Sequence, residues 1–379
     1  MFLILFLHLQ LQFTQQREDI NRYGVSRMEN SSVLPSDAPL PSHYSPIHQA
    51  LWILSLVVFC SAFVLGLAGN GLVIWVAGFR MSRTVTTVLF LNLAFADLAF
   101  TAFLPFVISS TVLQPHWPFG WFLCKLLSFL AVLNMFASVF LLTLVALDRC
   151  VSVLWPIWSR NRRTPRLAAL AAAGVWVFAL ALSIPTLIFR TTYTEDEITF
   201  CYFEFESQEE AGDDEEYVDP WAEGRHWSLV LTRFSLGFLV PFIIISVCYG
   251  LIMAKLWGGM RRVHSSRPFR ILTAVVAAFF LCWLPHHVLG MIEASVYAHP
   301  HLAQVLPYLS PLSSSLVFVN SCLNPVLYVF IGRDFREKLF RSLPAALERA
   351  LSEESAATGT TGSNSFSAPP VALTETKIL

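Results

Sequence analysis

Charge is scarce in this 379-residue sequence. Asp, Glu, Lys and Arg together fill 13% of positions, against ~25% in ordinary soluble chains. That shortage excludes an ordinary soluble globular protein. Net charge is −1, so nucleic acid is not an obvious partner. The seven cysteines are scattered without metal-ligand spacing, which excludes a zinc site and a disulfide-rich scaffold. A nucleotide-binding glycine loop, paired acids inside apolar runs and an inverted repeat are all missing, so an enzyme or a transporter is not expected and no catalytic residue is assigned. The opening stretch, "MFLILFLHLQLQ", resembles a signal h-region. It lacks a basic flank and a clear small-residue cleavage site. Met28, which opens "MENSSVLP", is an alternative start of translation.

What the chain has in abundance is apolar length. Hydrophobic residues make up 55% of the sequence and aromatics 14%. A run of ~20 apolar residues spans the ~30 Å hydrocarbon core of a bilayer. Seven such runs are read at 51–79, 86–113, 122–147, 168–189, 229–257, 271–296 and 305–331. Prolines inside them, such as Pro105, Pro185, Pro241, Pro285 and Pro325, are tolerated where neighbouring helices satisfy the freed carbonyl. The expected fold is therefore all-α: a seven-transmembrane helix bundle occupying 50–332.

Basic residues set the orientation. Arg80 and Arg83 follow the first run. Arg149, Arg160, Arg162, Arg163 and Arg166 lie between the third and fourth, and Lys255, Arg261, Arg262, Arg267 and Arg270 between the fifth and sixth. Arg333, Arg336, Lys338 and Arg341 follow the seventh. These segments share the cytoplasmic side, which puts residues 1–49 outside. Asn30, in "NSS", then reads as a glycosylation acceptor. Residues 333–345 form an amphipathic stretch, with Phe335, Leu339 and Phe340 opposed to the bases, expected to lie on the lipid of the inner leaflet. Residues 346–379 are a Ser/Thr-rich tail expected to be disordered and open to phosphorylation.

Polar residues inside the spans carry a resemblance. "GNGLV" with Asn70, "LAFADL" with Asp97, "DRC" with Arg149, Pro241 with Tyr249, "FFLCWLP" with Trp283 and Pro285, and "NSCLNPVLY" with Asn324, Pro325 and Tyr328 occur in order. From about Ala50 to Arg341 the chain resembles the rhodopsin-like G-protein-coupled receptors. The resemblance implies a switch in which Asp148 holds Arg149 at rest and releases it toward Tyr249 and Tyr328. Cys150 stands where the family has Tyr, and is expected to alter basal activity. It also implies a sodium site at Asp97, Ser138, Asn320 and Asn324, the only metal expected. The bare reading of those residues is helix-to-helix hydrogen bonding, and the two are compatible. A disulfide between Cys124 and Cys201 is implied as well.

Further stretches, among them "FGWFLCK", "NMFASVFLL", "RRTPRLA" and "SLPAALERALSEES", are similar to the leukocyte chemoattractant branch, with features of formyl peptide receptors and of the chemoattractant-type prostaglandin D receptor. That branch implies an extracellular chemoattractant peptide or lipid, an inhibitory-class G protein, and receptor kinases with arrestin acting on the tail. Arg233 falls where the branch holds a ligand anion. An arginine at that depth is costly unless paired. It grips a carboxylate, snorkels to the interface, or pairs internally with Glu293. Arg190 is a second anion contact or a boundary anchor. Phe106, Val132, Phe136, Trp283, His286 and His287 are expected to line the pocket, the histidines either bonding ligand or facing neighbouring helices. The formyl peptide pattern is incomplete, because Val132 and Leu229 replace its acid and its second arginine.

The outer segment 191–228 carries thirteen acids and no Lys or Arg between Thr191 and Gly224. Such a run is ordinarily solvated and disordered, and it also steers cationic ligands. Tyr217, in "DDEEYVDP", resembles a tyrosine-sulfation site. Three functional readings stand: a peptide chemoattractant receptor, a receptor for a prostanoid-like carboxylate, and an arrestin-only scavenging receptor.

Overall fold

The computed structural model describes residues 46–205, 221–258, 267–331, 337 and 340. Asn30, Tyr217, the acidic stretch 206–220, the amphipathic stretch at 333–345 (two positions aside) and the tail lie outside the described residues.

Helix α1 (Pro46–Trp75) ends in a π turn, Val76–Arg80. The second span is two helices, α2 (Val85–Ala102) and α3 (Leu104–Val112), broken at Phe103. Pro105 causes the break: proline has no N–H to donate, and it sits comfortably only in the first turn of the new helix. Helix α4 (Gly120–Leu154) is the third span, followed by a short helix α5 (Pro156–Arg162) and then α6 (Pro165–Phe189). The fifth span is α7 (Ala222–Phe234), a π turn at Ser235–Leu239, and α8 (Val240–Gly258). Pro241 leaves a carbonyl one turn back without its usual donor, and a widened turn is a common accommodation. Helix α9 (Arg267–Ser295), a 3₁₀ segment (Pro300–Val305) and α10 (Leu306–Ile331) complete the described chain.

Among the described residues seven helical segments are long and apolar enough to cross a membrane, as the apolar runs predicted. Helix α4 is the centre of the bundle: Phe136, Ala137, Val139 and Leu141 are fully buried. The outer helices expose apolar rather than polar side chains, for example Leu170, Val177 and Ile188 on α6. In water such a band would be a liability; against lipid it costs nothing. With no hydrophobic drive between helices in lipid, close packing and internal polar contacts hold the bundle. Asn70 Nδ2 donates to the Ser321 carbonyl at 3.0 Å, and Trp176 Nε1 to Asn92 Oδ1 at 3.0 Å.

Glycines let α1 approach its neighbours. A Cβ on Gly66 would stand 2.7 Å from Thr101 Cγ2, and one on Gly69 would stand 2.9 Å from Pro325 Cβ. Gly66→Ala therefore forces α1 and α2 apart. The expected cost is ~1–3 kcal/mol, read as a lower thermal midpoint in detergent; an unchanged midpoint would show that Thr101 rotates away freely.

The loop expected to be solvated is in part folded. Strands β1 (Arg190–Glu195) and β2 (Ile198–Phe203) pair antiparallel, with Arg190 opposite Phe203 and Thr192 opposite Cys201. Asp196 and Glu197 form the turn, both at positive φ (46° and 67°), as a two-residue hairpin demands. The signal was present in "RTTYTEDEITFCYF": β-branched and aromatic residues on both sides of a short acidic turn. Cys201 is bonded to Cys124, as the resemblance implied. Trp117 N–H donates to the Thr199 carbonyl at 2.7 Å and Thr199 N–H donates to His116 Nδ1 at 3.2 Å, so the hairpin is fastened across one end of the bundle.

Candidate functional site

Beneath the hairpin lies a cavity of about 140 Å³. Of the residues predicted for the ligand pocket, Val132, Arg233, Trp283, His286, His287 and Glu293 line it. Phe106, Phe136 and Arg190 do not. Phe106 packs edge-on to Phe119 with ring centroids 5.2 Å apart. Phe136 is fully buried and stacked on Phe140. Ala131, Val132 and Met135 form the cavity face of α4, and Phe136 falls off the edge of that face, toward Phe140.

Arg233, in the last turn of α7, donates from Nη2 to Thr186 Oγ1 at 2.8 Å. Its guanidinium lies over the Phe203 ring at 5.4 Å. Arg190 leans on the same ring at 4.6 Å and donates from Nη2 to the Cys201 carbonyl at 3.1 Å. The two cations thus converge on one aromatic side chain from the hairpin, each partly stabilised by its π face. Glu293 lines the same cavity, yet among the described residues no ion pair joins it to either arginine. The cavity therefore holds a buried guanidinium whose one hydrogen bond among the described residues is to a neutral hydroxyl. A carboxylate is the group such a donor fork fits best.

The histidines divide. His286 Nδ1 is 3.5 Å from Ser313 Oγ on α10, facing a neighbouring helix. His287 sits edge-on to Phe234 and Phe238, at 5.8 and 5.2 Å. Among the described residues, His287 Nε2, Trp283 Nε1 and His226 Nδ1 are buried without a hydrogen-bond partner. Phe203, Phe205 and His226 also line the cavity and were missed in the sequence. The two phenylalanines reach it only because the hairpin folds back, which no local pattern announces. His226 was hidden because α7 begins at Ala222, a turn and more before the apolar run. His226 stacks on Phe205 at 4.4 Å, and Arg225 donates to the Phe205 carbonyl from Nε and Nη2.

Deeper in the bundle, Asp97 is fully buried. Asn324 Nδ2 donates to its Oδ2 at 2.7 Å and Asn134 Nδ2 to its Oδ1 at 3.3 Å; Ser138 Oγ donates to Asn134 Oδ1 at 2.9 Å. Ser321 joins through Asn134, at 3.3 Å. Asn320 is buried on the same helix as Asn324, with no bond to this cluster among the described residues. Asn134 and Ser321 were not anticipated, although an asparagine inside an apolar span is itself a signal. The cluster brings together a carboxylate, two hydroxyls and an amide oxygen around a buried negative charge, with no cationic side chain among the described residues. That donor set fits a hard monovalent cation such as sodium.

At the opposite end the ion pair differs from expectation. Asp148 was expected to hold Arg149. Its carboxylate is instead gripped by Arg163 from the segment after α5, Nε to Oδ1 at 2.6 Å and Nη2 to Oδ2 at 2.8 Å. Arg149 Nη2 donates to Thr86 Oγ1 on α2 at 2.8 Å. The reason is geometric: α4 runs on to Leu154, so Asp148 and Arg149 lie inside a helix and point about 100° apart. The chain reversal at α5 delivers Arg163 as a bidentate partner. Tyr249 lies on α8. Pro325 lies inside α10; the Tyr328 side chain lies outside the described residues.

The comparisons agree with this architecture. Residues 69–328 match the 7 transmembrane receptor (rhodopsin family) domain. The chain is 49% identical over 336 residues to the human N-formyl peptide receptor 2, covering 86% of this chain and 93% of that one. It is 46% identical over 344 residues to the mouse formyl peptide receptor 2, covering 90% and 97%. It is 45% identical over 354 residues to the human N-formyl peptide receptor 3, covering 92% and 97%. A seven-helix bundle with a buried polar cluster, a disulfide-fastened hairpin over a cavity and these relatives along most of its length leave one assignment: the chain belongs to the rhodopsin family of seven-transmembrane receptors, beside the formyl peptide receptors.

Proposed function

We propose that this chain is a plasma-membrane chemoattractant receptor whose N-terminus and hairpin face outside, and which takes the anionic end of a peptide against Arg233. The observation that carries the reading is the buried Arg233 guanidinium, hydrogen-bonded to neutral Thr186 and lining a cavity whose walls are mainly apolar and aromatic, with Glu293 its one acid among the described residues. The names of the relatives point to N-formyl peptides. Val132 and Leu229 line the cavity where that group's acid and second arginine are expected, so a peptide held mainly through its terminal carboxylate suits this site better than one held through its formyl group. The acids of 206–220 would draw in a peptide with a basic body, with Tyr217 sulfation adding charge and Asn30 carrying sugar. Signalling runs through an inhibitory-class G protein at the Arg149 end, and through receptor kinases and arrestin on the Ser/Thr-rich tail. The Asp97 cluster would hold sodium, which supplies a positive charge that favours one arrangement of the helices; Asp97, Asn134 and Ser138 orient each other for it.

A prostanoid-like carboxylate is the second reading. The cavity's small volume and its aromatic walls favour it, since a single cation among mainly apolar walls suits a lipid acid. Cells expressing the chain are exposed to formylated peptides, other chemotactic peptides and prostanoids, with cAMP and arrestin as readouts. A peptide response with a fall in cAMP is expected; arrestin recruitment without any cAMP change would show a scavenging receptor instead. Neutralising the acids between Glu209 and Glu216 is expected to weaken a cationic peptide several-fold, more at low salt, and to spare a lipid. Equal sensitivity of the two ligands would remove the loop from peptide capture.

A further inference from the structure

Arg233 and Glu293 are a base and an acid in one cavity, yet among the described residues neither an ion pair nor a hydrogen bond takes up the Glu293 carboxylate. The course of the fifth and sixth spans explains their separation. The two spans come together at Val230 and Gly290, where a Cβ on Gly290 would stand 3.9 Å from Val230 Cγ1. Arg233 and Glu293 each lie three residues beyond that contact, on α7 and α9. Consecutive spans cross a membrane in opposite directions, so the two steps of ~4.5 Å point apart. The basic and acidic positions are thus offset by ~9 Å along the bundle. Arg233 is the deeper of the two. Glu293, two residues before the end of α9 at Ser295, is exposed nearer the mouth.

We propose that Glu293 selects the last residue of the ligand: a peptide with a free C-terminal Lys or Arg, its carboxylate on Arg233 and its side-chain cation on Glu293. This deepens the peptide reading above and rests on it. The cavity, at about 140 Å³, is smaller than the ~300–1,000 Å³ of sites that bury a drug-sized molecule. It admits one terminal residue rather than several. A carboxylate on Arg233 brings its own negative charge into the cavity that Glu293 lines. With a neutral terminal side chain that repulsion stays uncompensated, and with an acidic one it grows. With Lys or Arg, the opposite charges at the two ends of a single residue meet a base and an acid at two depths. The apolar stem between them lies along Phe203, Phe205 and Leu229, as such stems do on apolar surface. A lipid acid has no cation to offer Glu293.

The test uses the full-length receptor, immobilised in detergent micelles. It is offered pools of synthetic tetrapeptides, random except for a last residue fixed as Lys, Arg, norleucine or Glu. Each pool is made as free acid and as amide, and retained peptides are counted by mass spectrometry. The wild type is expected to retain the free-acid Lys and Arg pools about 5-fold above norleucine, the scale of a partly exposed charge pair, and the Glu pool least. Glu293→Gln is expected to level Lys, Arg and norleucine, and Glu293→Lys to put the Glu pool first. Amidation and Arg233→Ala are each expected to remove retention from every pool. Thermal midpoints of the two Glu293 variants are expected to match the wild type, since the carboxylate has no bond to lose among the described residues. Equal retention of the Lys, Arg and norleucine pools by the wild type overturns the proposal, and so does a Lys and Arg preference that survives Glu293→Gln. If Arg233→Ala still releases every free acid, the anionic-end reading stands without it. Free-acid retention that Arg233→Ala leaves unchanged overturns both, as does a wild type that retains no peptide.

Discussion

Replacing Arg233 with alanine is expected to abolish the response to an anionic agonist while the receptor still reaches the cell surface. The two halves of that result have separate physical causes. In the folded protein Arg233 makes one side-chain hydrogen bond, to the Thr186 hydroxyl, and rests on the Phe203 ring. Removing a buried charge also removes its desolvation cost, so the net loss to folding is small. For the ligand the balance is different. A carboxylate that has left water and then finds no cation loses about 2–5 kcal/mol, which shifts the half-maximal concentration by about 30-fold to a few thousand-fold. Arg233→Lys is expected to fall between, because the charge is kept and the two-pronged donor is lost. The measurement is a dose–response curve beside a surface-labelling count. An unchanged curve in the alanine variant would take Arg233 out of the ligand site.

The second large effect is expected from Cys201→Ser. The bond from Cys201 to Cys124 closes a sequence separation of 77 residues and ties β2 to the start of α4. Loss of such a bond costs about 2–5 kcal/mol. Here it also frees the strand that carries Phe203, the ring on which both Arg190 and Arg233 lean. Surface density, thermal midpoint and ligand response are all expected to fall together. Cys124→Ser is expected to match it, and the double variant to be no worse than either single one, since both remove the same bond. Additive losses would show that the two thiols have separate roles.

Membrane spans were readable along the chain because a bilayer imposes a one-dimensional rule: about 20 predominantly apolar residues per crossing, with few charges among them. The seven spans emerged with ends shifted by a few residues, mainly where polar residues continue a helix beyond the lipid, as at Ala222 and Leu154. Arg233, Trp283 and Glu293 stood out as polar or amphipathic residues that apolar helices carry at a cost. The pocket's roof did not stand out. Phe203 and Phe205 are ordinary aromatics in a loop until β1 and β2 pair and fold across the bundle. The expected partner of Asp148 was also displaced, because Arg163 lies 15 residues away and meets it only after the turn through α5.

By itself, the order of residues determined the membrane spans and the few polar side chains that must meet inside. Each of these follows from the cost of leaving an apolar solvent's rules, a cost every residue feels locally. Only the tertiary structure decided which polar groups actually touch: Asn134 with Asp97 and Ser321, Arg163 with Asp148, and Thr186 with Arg233. Those choices depend on how helices rotate and where they break, and a rotation of one residue moves a side chain by about 100°. Hydrophobicity along the chain cannot specify that angle; packing between helices does.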